Sequence, residues 1–122
     1  MNPVHWFEIP VVDIERAKQF YESLFGYSLF LTQINAGENL LFPREEIAAG
    51  ASGTLVKGER FAPSQQGTVV YFSVEDVEAV CNKAKMAGGS VLVPATPIGD
   101  GWGVFAHLLD TEGNKIGIWS KP

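Results

Sequence analysis

Apolar positions recur along the chain with two different periods, and the switches between them mark the elements. Residues 5–11 (HWFEIPV) mix apolar and β-favouring side chains and predict a strand. Asp13 is a good helix N-cap, Glu15 and Arg16 fall in the first turn, and Ile14, Ala17, Phe20, Tyr21 and Leu24 form one helical face. Gly26 stands where a C′ residue ends such a helix. Three short extended stretches follow, over 28–34, 39–43 and 53–57. A polar segment with Gly, Pro and Ser, 58–67 (GERFAPSQQG), reads as a linker. The order then returns: a strand over 68–73, a helix to 86 or 87 stopped by Gly88 and Gly89, and strands over 90–94, 104–109 and 115–120. Ser73 and Asp76 have the spacing of a capping box, with Asp in place of Glu or Gln. Residues 110–114 (DTEGN) have hairpin-turn chemistry, with Gly113 and Asn114 able to take positive φ.

The two halves superpose in sequence. Asp13 and Asp76 stand 63 residues apart, and at that shift Ile14 meets Val77, Glu15 meets Glu78, Leu24 meets Ala87 and Gly26 meets Gly89. A period near half the chain is a duplicated module rather than a solenoid. The prediction is an α+β fold of two βαβββ modules, about 1–57 and 68–122, within a single domain spanning 1–122. Neither module buries its helix and sheet face comfortably alone. Side by side, their curved mixed sheets can make an open, barrel-like trough with the helices outside.

Composition narrows the function classes. The chain has 122 residues, 46% hydrophobic and 19% charged, so disorder and coiled coil are disfavoured. Its net charge is −5, and nine Lys and Arg are scattered without a basic stripe. Phosphate neutralisation needs cations, so neither nucleic acid nor an anionic membrane is expected as partner. No apolar run approaches a bilayer span, and the first residues do not resemble a signal peptide. One cysteine, Cys81, excludes an internal disulfide, and a reducing cytoplasm is the expected location.

The opening EIPVVDIERAKQFYESLFGY, the second-module YFSVEDVEAVCNKAKMAGG and the closing LLDTEGNKIGIW resemble the vicinal oxygen chelate superfamily. That superfamily includes glyoxalase I, bleomycin-resistance proteins, fosfomycin-resistance enzymes and extradiol dioxygenases. The resemblance covers essentially the whole chain. It implies a concave cavity, usually one divalent metal, and frequent homodimers.

The metal ligands that the resemblance implies are His or Glu, sometimes Gln, from four strands. The first lies about seven residues before the Asp that starts the first helix, which here is Trp6. The third falls at Thr68, Val69 or Val70, and the last, the Glu of DPxGxxxE, falls on Gly117. The remaining one falls within 51–56, which holds no His, Glu, Asp or Cys. A divalent metal needs several converging N, O or S donors, so no metal and no other cofactor is expected. His5, Glu8 and His107 could offer three donors, but strand alternation sets His5 and Glu8 on opposite faces.

The same positions mark the inward face. Trp6 and Glu8 share it on the first strand, Val69 and Tyr71 correspond to them in the second module, and Lys115, Gly117 and Trp119 share it on the last. Aromatic walls with few polar groups suit a small molecule, stacked or cationic. Phe105 and Trp102 are further ligand candidates, Trp102 as a lid within 99–103 (GDGWG) and 44–53 on the other side of the mouth. Alternation over 104–109 leaves open whether Phe105 and His107, or Ala106 and Leu108, face inward. Glu8 and His107 are the candidate proton-transfer groups, Glu8 if a semi-enclosed pocket raises its pKa. The expected function is metal-independent binding of a small molecule. The alternative is a glyoxalase-like lyase or isomerase, or a dioxygenase-like enzyme, using Glu8.

Overall fold

A computed structural model of the chain describes residues 2–34, 37–45 and 49–122. The elements run β1 (Trp6–Pro10), α1 (Ile14–Phe25), β2 (Phe30–Ile34), β3 (Gly37–Leu41), β4 (Ser52–Lys57), then β5 (Tyr71–Ser73), α2 (Val77–Met86), β6 (Ser90–Pro97), β7 (Val104–Leu109) and β8 (Lys115–Ser120). The duplicated βαβββ order is therefore observed.

Both helices start on the aspartates that the repeat singled out. The Asp13 carboxylate accepts from the Arg16 N–H and the Asp76 carboxylate from the Ala79 N–H, each at 3.0 Å. Asp76 is thus itself the N-cap, and the capping-box reading of Ser73 is corrected: Ser73 closes β5. Gly26 ends α1 in the left-handed region at φ 72°, where a Cβ would add strain.

Several strand limits differ from the sequence expectation. The third strand stops at Leu41 instead of 43, just ahead of Pro43, which has no N–H for a ladder. The fifth starts at Tyr71 instead of 68, because residues 68–70 leave the linker before the ladder begins. The sixth runs past Pro94 to Pro97 with register breaks between Val91 and Thr96, the irregularity that a mid-strand proline imposes. In the 110–114 turn only Gly113 takes positive φ, while Asn114 uses its side-chain amide instead.

Each module forms its own four-stranded mixed sheet, ordered β1-β4-β3-β2 and β5-β8-β7-β6. The first and last strands of each module pair in parallel and the other neighbours antiparallel. Among the described residues no strand pairing joins the sheets, so the assembly is not a closed barrel. The repeat is carried in the register. Glu8 pairs with Thr54, and Tyr71 pairs with Gly117, each 63 residues later.

Helix α1 packs on β3 and β4, α2 packs on β6, β7 and β8, and the helices pack on each other. Phe72 of the second module inserts among aromatics of the first. Its ring stacks on Phe25 at 4.7 Å and meets Phe42 at 5.5 Å, Phe7 at 5.8 Å and Tyr21 at 6.1 Å. Such pairs add about 0.5–1.5 kcal/mol each beyond burial.

A buried polar cluster completes the junction. Glu112 Oε1 accepts the Val12 and Asp13 N–H groups at 2.8 and 2.7 Å, and Oε2 accepts from Arg16 Nε at 2.7 Å. The DTEGN turn thereby supplies an acceptor for the free donors at the start of α1. Tyr21 donates to Asp110 at 2.6 Å, and Asn114 donates to the Pro10 carbonyl at 2.7 Å. Burial pushes the Glu112 carboxyl up, but the Arg16 guanidinium and the Asp13 and Val12 N–H groups outweigh it and bring it to about 2. Burial, with Asp110 beside it, raises the Tyr21 hydroxyl well above its ordinary value.

Candidate functional site

The face of the second sheet turned away from α2 carries the sequence candidates. Ala106, Leu108, Ile116 and Ile118 belong to the core under the helix. Alternation then sends Phe105, His107, Lys115, Gly117 and Trp119 to the open face. The choice left open on the seventh strand is thus resolved: Phe105 and His107 stand on the face of Tyr71 and Trp119.

Tyr71 is the centre of this face. Its ring packs on Gly117, where an added Cβ would come within 2.4 Å of it. No other residue type leaves that seat free. The Tyr71 hydroxyl is 2.6 Å from His107 Nε2, and the two rings tilt together at 5.6 Å. Phe105 meets His107 edge-on at 5.3 Å. Burial, with a smaller contribution from the positive charge of Lys115, lowers the His107 pKa, so its imidazole is favoured neutral. At the far end, Trp119 Nε1 donates to the Trp102 carbonyl at 2.7 Å, while the Trp102 side chain is 70% exposed.

Two cavities meet at Trp6 and Tyr71. One, of about 640 Å³, is a groove between β1 and the start of β5 and β8, roofed by linker residues Ala62, Ser64 and Gln66. Trp6, Glu8, Val69, Tyr71 and Lys115 line it. The other, of about 470 Å³, is lined by His5, Trp6, Tyr27, Phe42, Tyr71 and the described ends of the 44–53 loop. Residues 46–48 of that loop lie outside the described residues. Trp6, Glu8, Val69 and Tyr71 are therefore brought together in one groove. His107 and Phe105 join through Tyr71, whereas Trp119 and Trp102 stand beyond the groove walls. Glu8 is exposed at the groove wall and makes no hydrogen bond or ion pair among the described residues.

The implied metal positions can be judged from the register. Thr54, on the strand that had left its position unassigned, mirrors Gly117 as Glu8 mirrors Tyr71. The four positions are then Trp6, Thr54, Val69 and Gly117. An indole, a valine and a glycine offer no ligand atom. The Thr54 hydroxyl is buried with no hydrogen-bond partner, and a neutral hydroxyl is a poor sole donor. The Tyr71 ring covers the open side of Gly117. These residues do not fit a divalent metal, and among the described residues no three His, Cys, Asp or Glu side chains converge.

Sequence reasoning missed three features. Gly117 was read as a missing ligand rather than as a seat. The Tyr71–His107 bond spans strands whose register the sequence does not print. Lys115 was assigned to the inward face but not weighed as a donor.

Comparison with known proteins places the chain in a family. The model of the Glyoxalase/Bleomycin resistance protein/Dioxygenase superfamily matches residues 4–118. The chain is 29% identical over 117 residues to a putative glyoxylase, CFP32, of Mycobacterium tuberculosis, covering 94% of this chain and 44% of that one. It is 25% identical over 128 residues to the anthracycline biosynthesis protein DnrV of Streptomyces peucetius, covering 95% and 46%. The chain thus spans about half the length of these relatives. Among solved structures it is similar to TnmS3, an antibiotic binding protein from Streptomyces sp. CB03234, with a TM-score of 0.69, 28% identity and coverage of 100% and 98%. No helix among the described residues is long and apolar enough to cross a membrane.

Proposed function

From the premise that the chain belongs to the glyoxalase/bleomycin resistance protein/dioxygenase superfamily, we propose that it binds a planar small molecule without a resident divalent metal. The observation that carries this reading is the Tyr71 ring seated on Gly117. It puts an aromatic face where the family resemblance puts a ligand carboxylate, at the meeting point of both cavities. Trp6 supplies a second aromatic surface, and Val69 an apolar one. Apolar walls with few polar groups are the usual form of a small-molecule site. Similarity to an antibiotic binding protein and to an anthracycline biosynthesis protein supports the same reading.

The test is calorimetry and thermal shift against a panel of polycyclic aromatic molecules. At least one raises the unfolding midpoint, and Trp6→Ala weakens its binding about tenfold by removing a stacking face. A panel without a binder, or binding indifferent to Trp6→Ala, contradicts the reading.

A second reading rests on Glu8, whose carboxylate stands free at the groove wall. Here Glu8 is the proton-transfer group of a lyase or isomerase, with His107 as the second. Once a substrate is in hand, Glu8→Gln abolishes turnover under this reading and leaves affinity within a few-fold under the first. We also infer a cytoplasmic homodimer. Phe30 and Leu31 on the edge strand β2 are 66% and 57% exposed, and a second copy would cover them. Light scattering is expected to give twice the 13.3 kDa chain mass, and Leu31→Lys to halve it.

A further inference from the structure

Three groups that donate hydrogen bonds stand on one face around the Gly117 seat. Tyr71 lies over Gly117, His107 pairs with Gly117 across the ladder, and Lys115 precedes it by two residues on the same strand. We propose that this donor wall selects a planar aromatic ligand bearing a carbonyl oxygen, an aryl ketone or a quinone. The inference rests on the reading that the groove takes planar molecules, and adds the chemical class.

The Tyr71–His107 bond uses one proton of the pair and leaves one free. If the phenol donates to Nε2, the neutral imidazole carries its remaining proton on Nδ1. If Nε2–H donates to the phenol oxygen, the phenol O–H is free. Either arrangement leaves one donor: the His107 Nδ1–H, on a residue outside the cavity walls, or the Tyr71 O–H, whose partner must come from outside the pair. Tyr71 is 49% exposed and lines both cavities, so that partner can be a bound molecule. Lys115 lines the same groove and makes no ion pair among the described residues. A ligand without an acceptor would desolvate these donors and leave them unpaired.

Charge then separates a carbonyl from an anion. Lys115 and the Glu8 carboxylate line the same groove, and the chain is −5 overall. The carboxylate offsets the attraction of Lys115 for an anion, so an anionic ligand gains no net charge attraction for the hydration it gives up, a cost that a neutral carbonyl escapes. The aromatic faces of Trp6 and Tyr71 favour a flat ring system to hold that oxygen in place.

The experiment compares 9-fluorenone with fluorene, in which a CH2 group stands in place of the carbonyl, and with fluorene-2-carboxylate, by chemical-shift titration. Wild-type protein is expected to bind fluorenone about five- to tenfold more tightly than fluorene, the worth of one or two hydrogen bonds. The double variant Tyr71→Phe, His107→Leu, which keeps a ring at 71 and removes the paired donors, lowers that preference to under about twofold, read as the ratio of the two affinities within the variant. Gly117→Ala, which forces the ring off its seat, acts in the same direction. A fluorenone preference that survives both variants overturns the inference. So does tighter binding of the carboxylate, or equal binding of fluorenone and fluorene by wild type, with the planar-ligand reading left standing. Failure of wild type to bind any of the three overturns both.

Discussion

The two modules share one order of elements and differ in chemistry across their open faces. In the first, the row across the sheet reads Glu8, Thr54, Leu41; in the second it reads Tyr71, Gly117, His107. One row has an exposed carboxylate and a buried hydroxyl without a partner. The other has a ring on a glycine, tethered to an imidazole. On the helix side the modules agree: Ile9 and Leu55 in one correspond to Phe72 and Ile118 in the other, and all four are buried in the common core. The contrast teaches that the helix-facing positions hold the duplicated fold while the open-face positions are free to make a site.

The largest expected effect comes from breaking the junction between the modules. Phe72→Ala leaves a cavity among four rings and is expected to cost about 3–4 kcal/mol, read by chemical denaturation. An equal loss from Tyr71→Ala on the open face would erase the distinction between the two faces.

Next is the clamp of Glu112 on α1. Its carboxyl falls from an ordinary value near 4.5 to about 2 on folding, so the folded state favours the ionised form. That stabilisation, about 3 kcal/mol, is complete above pH 4.5 and is lost as the pH falls toward 2. Glu112→Gln is expected to flatten the fall of stability with acid over that window. Urea denaturation at a series of pH values checks it, and an unchanged slope contradicts the clamp. Tyr21→Phe removes one buried bond to Asp110 and is expected to cost about 1–2 kcal/mol.

Smaller effects sharpen the open-face side of the comparison. Removing the Tyr71 ring exposes His107, and since burial is the main cause of its lowered pKa, Tyr71→Ala raises it toward the ordinary value. Imidazole proton shifts followed from pH 5 to 8 report this. Trp102→Ala, at a side chain 70% exposed, is expected to change stability by under about 0.5 kcal/mol.

Helix starts were legible because their signal is local: Asp13 and Asp76 each cap within three residues. Alternation placed Trp6 and Glu8 on one groove wall because β1 keeps it, and the 63-residue shift carried the same face to Val69, just ahead of β5. What stayed hidden depends on pairings far apart in the chain. Gly117 shows an absent side chain in sequence, and only the parallel register with Tyr71 reveals a filled seat. DTEGN looked like a turn, and its clamp on a helix a hundred residues away cannot be seen in local composition. The facing of His107 was undecided because Phe105 and Ala106 are both apolar, so the alternation carried no contrast.

Metal retention tests the central claim most directly. The chain, purified without a metal-binding tag, is offered Ni²⁺, Zn²⁺, Mn²⁺ and Fe²⁺ in turn, desalted and analysed for bound metal. The account predicts well under one equivalent of each, with Tyr71 in the place of a ligand. One tightly held equivalent of any of them would contradict it.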